Sequence, residues 1–173
     1  MTIVYEPIGV AHTPFTEPDD MPIQPAGAAG VVGRVEIFKD YEAGLKDLDG
    51  FSHLLLLYHF HRSRGFDLHV VPFLDKTPRG VFATRAPRRP NAIGLSVVKL
   101  LRIEGCNLHI EGVDLLDQTP VLDIKPHVPS FNMQGRIRIG WLAGAHRKAV
   151  RKRSDRRFQK QEVNDDNQTD RGR

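Results

Sequence analysis

Cysteine is almost missing from this 173-residue sequence: the single residue, Cys106, excludes an internal disulfide and any multi-cysteine zinc cluster. It sits in a Gly-Cys-Asn turn without an activating neighbour, so a nucleophilic role is not expected. Long apolar runs are missing too. None approaches the roughly 20 residues of a membrane span, and the opening Met-Thr-Ile-Val-Tyr-Glu has no basic stretch leading into an apolar one. A cytoplasmic protein with no membrane partner is expected. No Gly-Lys-Ser/Thr phosphate loop occurs, and no βαβ rhythm repeats, which argues against a doubly wound nucleotide-binding sheet. Gly27-Ala-Ala-Gly30-Val-Val-Gly33 is glycine-rich but neither follows a strand nor has dinucleotide spacing, and it reads as a loop.

Charge is present but unevenly placed. Residues 1–144 are nearly neutral, whereas 145–173 carry ten Lys and Arg against five Asp and Glu. The sequence therefore divides into a body, 1–144, and a basic, partly disordered C-terminal tail, 145–173. A neutral body with a basic appendage suits a polyanionic partner, and also suits a plain solubilising terminus.

Hydrophobic alternation predicts extended segments over 3–13, 31–38, 51–60, 68–74, 80–84, 95–104, 108–113 and 121–124, with turns at Glu104-Gly105 and Gln118-Thr119-Pro120. A short helix over 41–48, with Asp40 as N-cap, follows from Tyr41, Leu45 and Leu48. Residues 14–30, with four prolines, read as a long loop of the kind that is functional or disordered. Six or seven short strands and little helix predict a mainly β fold, a small antiparallel β-barrel with short helices.

Three segments could carry chemistry. In Gly80-Val-Phe-Ala-Thr-Arg85-Ala-Pro-Arg88-Arg89-Pro90-Asn91-Ala-Ile-Gly94-Leu-Ser96, three arginines stand on a backbone stiffened by two prolines. Rigid guanidinium forks suit carboxylate or phosphate recognition. In Gly112-Val-Asp114-Leu-Leu-Asp117-Gln-Thr119-Pro120-Val-Leu-Asp123-Ile-Lys125-Pro126-His127, aspartates could accept from ribose hydroxyls or an amine; a hairpin with Asp-rich turns is the plainer alternative. His53, His59 and His61 fall on one face of a strand, yet nothing supplies a further ligand, and no metal is expected.

Gly80–Arg85, Arg89–Leu100 and Gly112–Pro126, together with Ile8-Gly-Val, Thr13-Pro-Phe and Leu48-Asp-Gly-Phe-Ser-His53, resemble the signature blocks of the TrmO/TsaA-like family. Members are homodimeric, S-adenosylmethionine-dependent tRNA methyltransferases built on a β-barrel rather than a Rossmann sheet. The resemblance implies methylation of the exocyclic amine of threonylcarbamoyladenosine beside the anticodon. It places cofactor contacts at Pro22, Ile23, Gln24, His61, Arg62, Arg85, Leu95, Thr119, Pro120, Val121 and Asp123. Asp123 is the expected proton acceptor for the amine. Arg85 and Arg89 are expected to grip a carboxylate, and Arg88, Arg89, Asn91, Arg147, Lys148, Arg151 and Lys152 to meet substrate or RNA. Ala92, Gln118 and His127 depart from the family pattern; Gln118 stands where a glycine is usual before Thr-Pro. The alternatives are an S-adenosylmethionine-binding protein and a small-molecule methyltransferase that does not use tRNA.

Overall fold

The computed structural model describes residues 2–129 and 137–159. Eight strands run in chain order: β1 (Gly9–His12), β2 (Val32–Ile37), β3 (His53–His59), β4 (His69–Val70), β5 (Arg79–Gly80), β6 (Ile93–Glu104), β7 (Asn107–Glu111) and β8 (Thr119–Pro126). Six of them close an antiparallel barrel in the order β1-β2-β7-β6-β3-β8, with β8 returning to β1; β4 and β5 form a separate ribbon.

Period-two patterning decides what fills the barrel. Leu54, Leu56 and Tyr58 of β3 point inward, and Val35, Ile37, Val98, Leu108, Ile110 and Val121 meet them from the other strands. Val113 and Leu115, on the loop after β7, join the same core. Two register shifts, at Leu57/Tyr58 against β8 and at Leu100/Arg102 against β7, kink the long strands. Such bulges sharpen the twist that closure of a small barrel needs.

The predicted strands at 3–13, 31–38, 51–60, 95–104, 108–113 and 121–124 each contain or overlap one barrel strand. Three local expectations fail. The predicted helix over 41–48 is a tight 3-10 turn at Lys39–Leu45, preceded by Phe38 and lacking an Asp40 side-chain cap. None of its seven residues is fully buried and Leu45 alone of them packs partly on the core, which is too little to reward a longer α-helix. The predicted strand at 80–84 is the 3-10 turn Val81–Ala83, and β3 stops before His61, which therefore leaves the face shared by His53 and His59.

The segment expected as a tail is folded as far as it is described. Short 3-10 turns at Gly140–Gly144, His146–Val150 and Arg156–Phe158 lie against the body. Ser154 N donates to Met21 O at 2.9 Å, Asp20 N donates back to Ser154 O at 3.2 Å, and Arg153 Nη1 donates to Gly27 O at 3.0 Å. Arg157 Nη1 donates to Pro72 O at 2.8 Å, and the Phe158 ring packs with Val70, Val81 and Ala86. The expectation of disorder over 164–173 lies outside the described residues. Among the described residues no helix is long and apolar enough to cross a membrane.

Tyr58 sits opposite Gly94 in the β3–β6 register, and a Cβ at Gly94 would overlap its ring. Gly94→Ala is therefore expected to destabilise the protein by about 1–3 kcal/mol in urea unfolding, as other overpacked cores do; unchanged stability would show that the ring can move aside freely.

Candidate functional site

One end of the barrel opens into a cavity of about 380 Å³. Five segments line it: Pro18–Gln24, the β3 end with Phe60, His61 and Arg62, the stiff loop with Thr84, Arg85, Pro87 and Arg89, the β6 start with Ile93–Leu95, and Asp114–Leu116 with Thr119. Ser154, Asp155, Phe158 and Gln159 form a sixth side. A concave, largely apolar site with a few converging polar groups is the usual form of a small-molecule pocket, and its volume lies in the usual range of about 300–1,000 Å³.

Backbone bonds hold these loops in place. Thr13 Oγ1 donates to Leu115 O at 2.8 Å, Thr13 N donates to Asp117 Oδ1 at 3.1 Å, and Asp117 N donates to Phe15 O at 2.7 Å. Thr119 is buried and donates to Leu116 O at 2.7 Å, with His61 Nδ1 3.4 Å away. Gln118 takes the left-handed backbone at φ 61°, a conformation that glycine adopts without strain. Its amide Nε2 lies 3.2 Å from both His12 Nδ1 and Asp117 Oδ2.

Three charged or titratable groups dominate the site. Arg85 Nη1 donates to Gln24 Oε1 at 3.2 Å across the mouth. Arg89 Nη1 donates to Thr84 O at 3.1 Å, so it braces the loop while facing the cavity. Asp114 sits in the wall at the end of a hydrogen-bond chain: Ser96 Oγ donates to its Oδ1 at 2.6 Å, and Tyr58 Oη lies 3.1 Å from Ser96 Oγ. Since the single Ser96 proton goes to the carboxylate, the Tyr58 hydroxyl is the donor in the second bond. Burial pushes the Asp114 carboxyl up to about 6, against the opposing pull of Ser96 and Arg85. Burial, followed by the Arg62 and His59 charges, lowers the His61 pKa and favours its neutral ring.

Of the residues singled out from the sequence, Pro22, Ile23, Gln24, His61, Arg62, Arg85, Arg89, Leu95 and Thr119 are brought together at this cavity. Arg62 is also held by Glu17, at 3.2 Å, and by Thr16 O, at 2.6 Å. Others lie elsewhere. Val121 is inside the barrel core, and Pro120 pairs with Val10 in the β1–β8 ladder. Asp123 faces outward and pairs with Lys125 at 2.6 Å, so it does not reach the cavity. Arg88 is turned away to Asp67, at 2.6 Å, and Arg64 O, at 2.7 Å; Asn91 is exposed beside the loop. Arg147, Lys148 and Arg151 are exposed, and Lys152 is half-buried; none of the four lines this cavity. Among the described residues no group of three or more His, Cys, Asp or Glu is placed to hold a metal ion. Asp114 and Asp123 share the Gly112–His127 segment, and only Asp114 of the two lines the cavity.

A buried carboxylate with a raised pKa costs stability where it is charged. The Asp114 pKa is about 6 in the folded protein against an ordinary 3.8, so the penalty is absent below pH 3.8, grows between 3.8 and 6, and is complete above 6. Asp114→Asn should therefore raise stability above pH 6 by up to about 3 kcal/mol and change little near pH 3.5. Thermal unfolding across that pH range checks this, and a pH-independent difference would contradict it.

Comparison with known proteins gives the same picture of the chain. A model of the tRNA-methyltransferase O N-terminal domain matches residues 10–133. A probable S-adenosyl-L-methionine-binding protein of Pyrococcus abyssi is 50% identical over 158 residues, covering 91% of this chain and 86% of the relative. A mouse protein named tRNA (adenine(37)-N6)-methyltransferase is 38% identical over 137 residues, 75% of this chain and 32% of its own length. The crystal structure of TrmO from Pseudomonas aeruginosa superposes with a TM-score of 0.68 at 39% identity, covering 82% of this chain and 63% of that one. The chain thus spans most of the archaeal relative and less than two-thirds of the mammalian and bacterial ones. It belongs to the tRNA-methyltransferase O family.

Proposed function

We propose that this family member binds S-adenosylmethionine in the 380 Å³ cavity and methylates the exocyclic amine of an adenosine in tRNA, with threonylcarbamoyladenosine beside the anticodon as the acceptor. One observation carries the reading: residues 22–24, 61–62, 85 and 95, far apart in sequence and expected from the resemblance to contact the cofactor, converge on one cavity. The chemistry of the wall fits the donor. Arg85 and Arg89 suit its carboxylate, the Asp114 carboxylate suits cationic charge, and Ile23, Leu95, Leu115 and Leu116 offer apolar faces to an adenine.

When bound, the cofactor supplies a methyl group activated by a neighbouring sulfonium. The protein supplies alignment and a proton acceptor. The amine nitrogen of adenine is a weak nucleophile and must shed one proton as it gains the methyl group. We assign this role to Asp114, which lines the cavity, rather than to Asp123, which pairs with Lys125 away from it. A pKa of about 6 leaves it ionised at neutral pH and still basic enough to accept. The Tyr58–Ser96 chain holds it in one rotamer.

The working form is a homodimer in the cytoplasm. What supports the dimer is an apolar outer face: Leu55 pairs with Val97 and Leu57 with Leu95 across β3 and β6, with Leu95 43% exposed and Ile93 38%. Leu95 also lines the cavity, so a second copy on this face would abut the site. A second reading, cofactor binding without tRNA methylation, is favoured by the name of the Pyrococcus relative, which states binding alone.

Incubation with labelled S-adenosylmethionine and total tRNA, followed by nucleoside analysis, separates the two readings: a labelled N6-methylated adenosine supports the first, and label-free tRNA with intact cofactor binding supports the second. Arg85→Ala should weaken S-adenosylmethionine binding about tenfold or more in calorimetry, since a charge-assisted bond is lost. Unaltered affinity would remove Arg85 from the cofactor site.

A further inference from the structure

A second recess of about 640 Å³ lies on the other side of the Gln24–Arg85 pair. Ile23, Gln24, Phe73, Thr84, Arg85, Pro87 and Phe158 border both spaces, so the two are separated by little more than one layer of side chains. The far side of the recess is aromatic. Phe82, on the 3-10 turn Val81–Ala83, is 76% exposed, although a large aromatic ring gains nothing from standing in water. Trp141 is fixed opposite by its indole N–H, which donates to Ala83 O at 2.8 Å, and the Arg79 guanidinium sits 5.6 Å from its ring centroid. Trp141, Leu142, His146 and Ala149 come from the C-terminal segment, beyond the residues matched by the family domain.

The turn that supplies His146 and Ala149 to the recess also carries positive charge. Arg147, Lys148 and Arg151 stand exposed on and just after the turn His146–Val150, and no acidic partner pairs with them among the described residues. An aromatic platform beside free cations is the arrangement by which proteins hold an unstacked nucleotide: the base lies on the ring while the phosphates meet Lys and Arg. Cations alone would bind any polyanion, and an exposed ring alone would suit any apolar partner. Their combination, next to a cofactor cavity, selects a nucleotide.

We propose that the recess built by Phe82, Trp141 and the 146–151 turn is the acceptor subsite, which takes a single adenine nucleotide extruded from its RNA strand and stacks the base on Phe82. This rests on the first cavity holding the methyl donor. The shared wall, which includes Gln24, Thr84 and Arg85, then brings donor and acceptor within about one side chain of each other. For the reaction described above, the amine edge of the base has to project through the shared wall into the first cavity, where Asp114 stands; there the amine proton passes to Asp114 as the nitrogen–methyl bond forms and the sulfur–methyl bond breaks.

The test uses the full chain in two calorimetric titrations with Phe82→Ala and Phe82→Trp beside the unaltered protein. S-adenosylhomocysteine is titrated first; all three proteins should bind it equally, and loss of binding in all three would overturn the cofactor reading rather than the subsite alone. Adenosine 5′-monophosphate is then titrated into the saturated proteins. The unaltered protein and Phe82→Trp should bind it, and Phe82→Ala should bind about tenfold more weakly or not at all, in keeping with the loss of one base-stacking contact. Arg147→Ala/Lys148→Ala/Arg151→Ala should weaken binding of tRNA and flatten its salt dependence while leaving S-adenosylhomocysteine binding intact. No binding of the nucleotide to the saturated unaltered protein, or equal binding by Phe82→Ala, overturns the subsite.

Discussion

The backbone pairing between Ser154 and the Asp20–Met21 stretch is the contact on which the site depends. Without it the barrel would still have its core, but the loop bearing Pro22, Ile23 and Gln24 would lose much of its outer support, and the walls that the C-terminal segment gives both cavities would loosen. The Ser154 side chain reinforces the pairing by accepting from Met21 N at 2.9 Å. Arg153 and Arg157 add bonds to Gly27 O and Pro72 O. Gly27 is constrained by the same docking: a Cβ there would stand 3.1 Å from the carbonyl oxygens of Ala149 and Val150. Basic residues read from the sequence as an RNA-binding appendage thus divide into two groups. Arg153 and Arg157 staple the segment down, while Arg147, Lys148 and Arg151 stand exposed on its surface, with no acidic partner among the described residues.

The barrel contributes stiffness and one polar chain. Tyr58, Ser96 and Asp114 run from the apolar interior to the cavity wall, each satisfied by the next, so that the last oxygen is presented in a fixed place. Burial raises the pKa values of both Tyr58 and Asp114, which is the mark of polar groups kept in apolar surroundings at an energetic cost. A core built for stability alone would place apolar residues at these positions. The cost is intelligible if the carboxylate works on a proton.

Much of this was legible in the residues. Alternation located the barrel strands because one face of each is buried, and the proline-braced arginine loop, marked by stiffness and charge, brings Arg85 and Arg89 to the cavity wall. The choice among Asp114, Asp117 and Asp123 was not legible. Counting by twos from the inward Val121 puts Asp123 inside, but the structure inserts Leu122 as an extra residue opposite Leu57 and Tyr58, which turns Asp123 outward. A bulge is a property of the closed barrel and leaves no mark in one strand's pattern. The docking of 137–159 was masked by its charge, since the few apolar residues there, Trp141, Leu142, Ala149 and Phe158, follow neither helical nor strand spacing. Phe158, alone among basic residues, was the available hint.

If the cavity walled by the C-terminal segment and the 20–27 loop holds the methyl donor, binding should steady both walls at once. Hydrogen-exchange mass spectrometry of the full chain with and without S-adenosylmethionine tests it most directly. Slowed exchange on both sides of the pairing, at 20–27 and at 153–159, together with the 84–89 loop, is the predicted result. Unchanged exchange in these segments at saturating donor, or protection confined to a different part of the barrel, would contradict it.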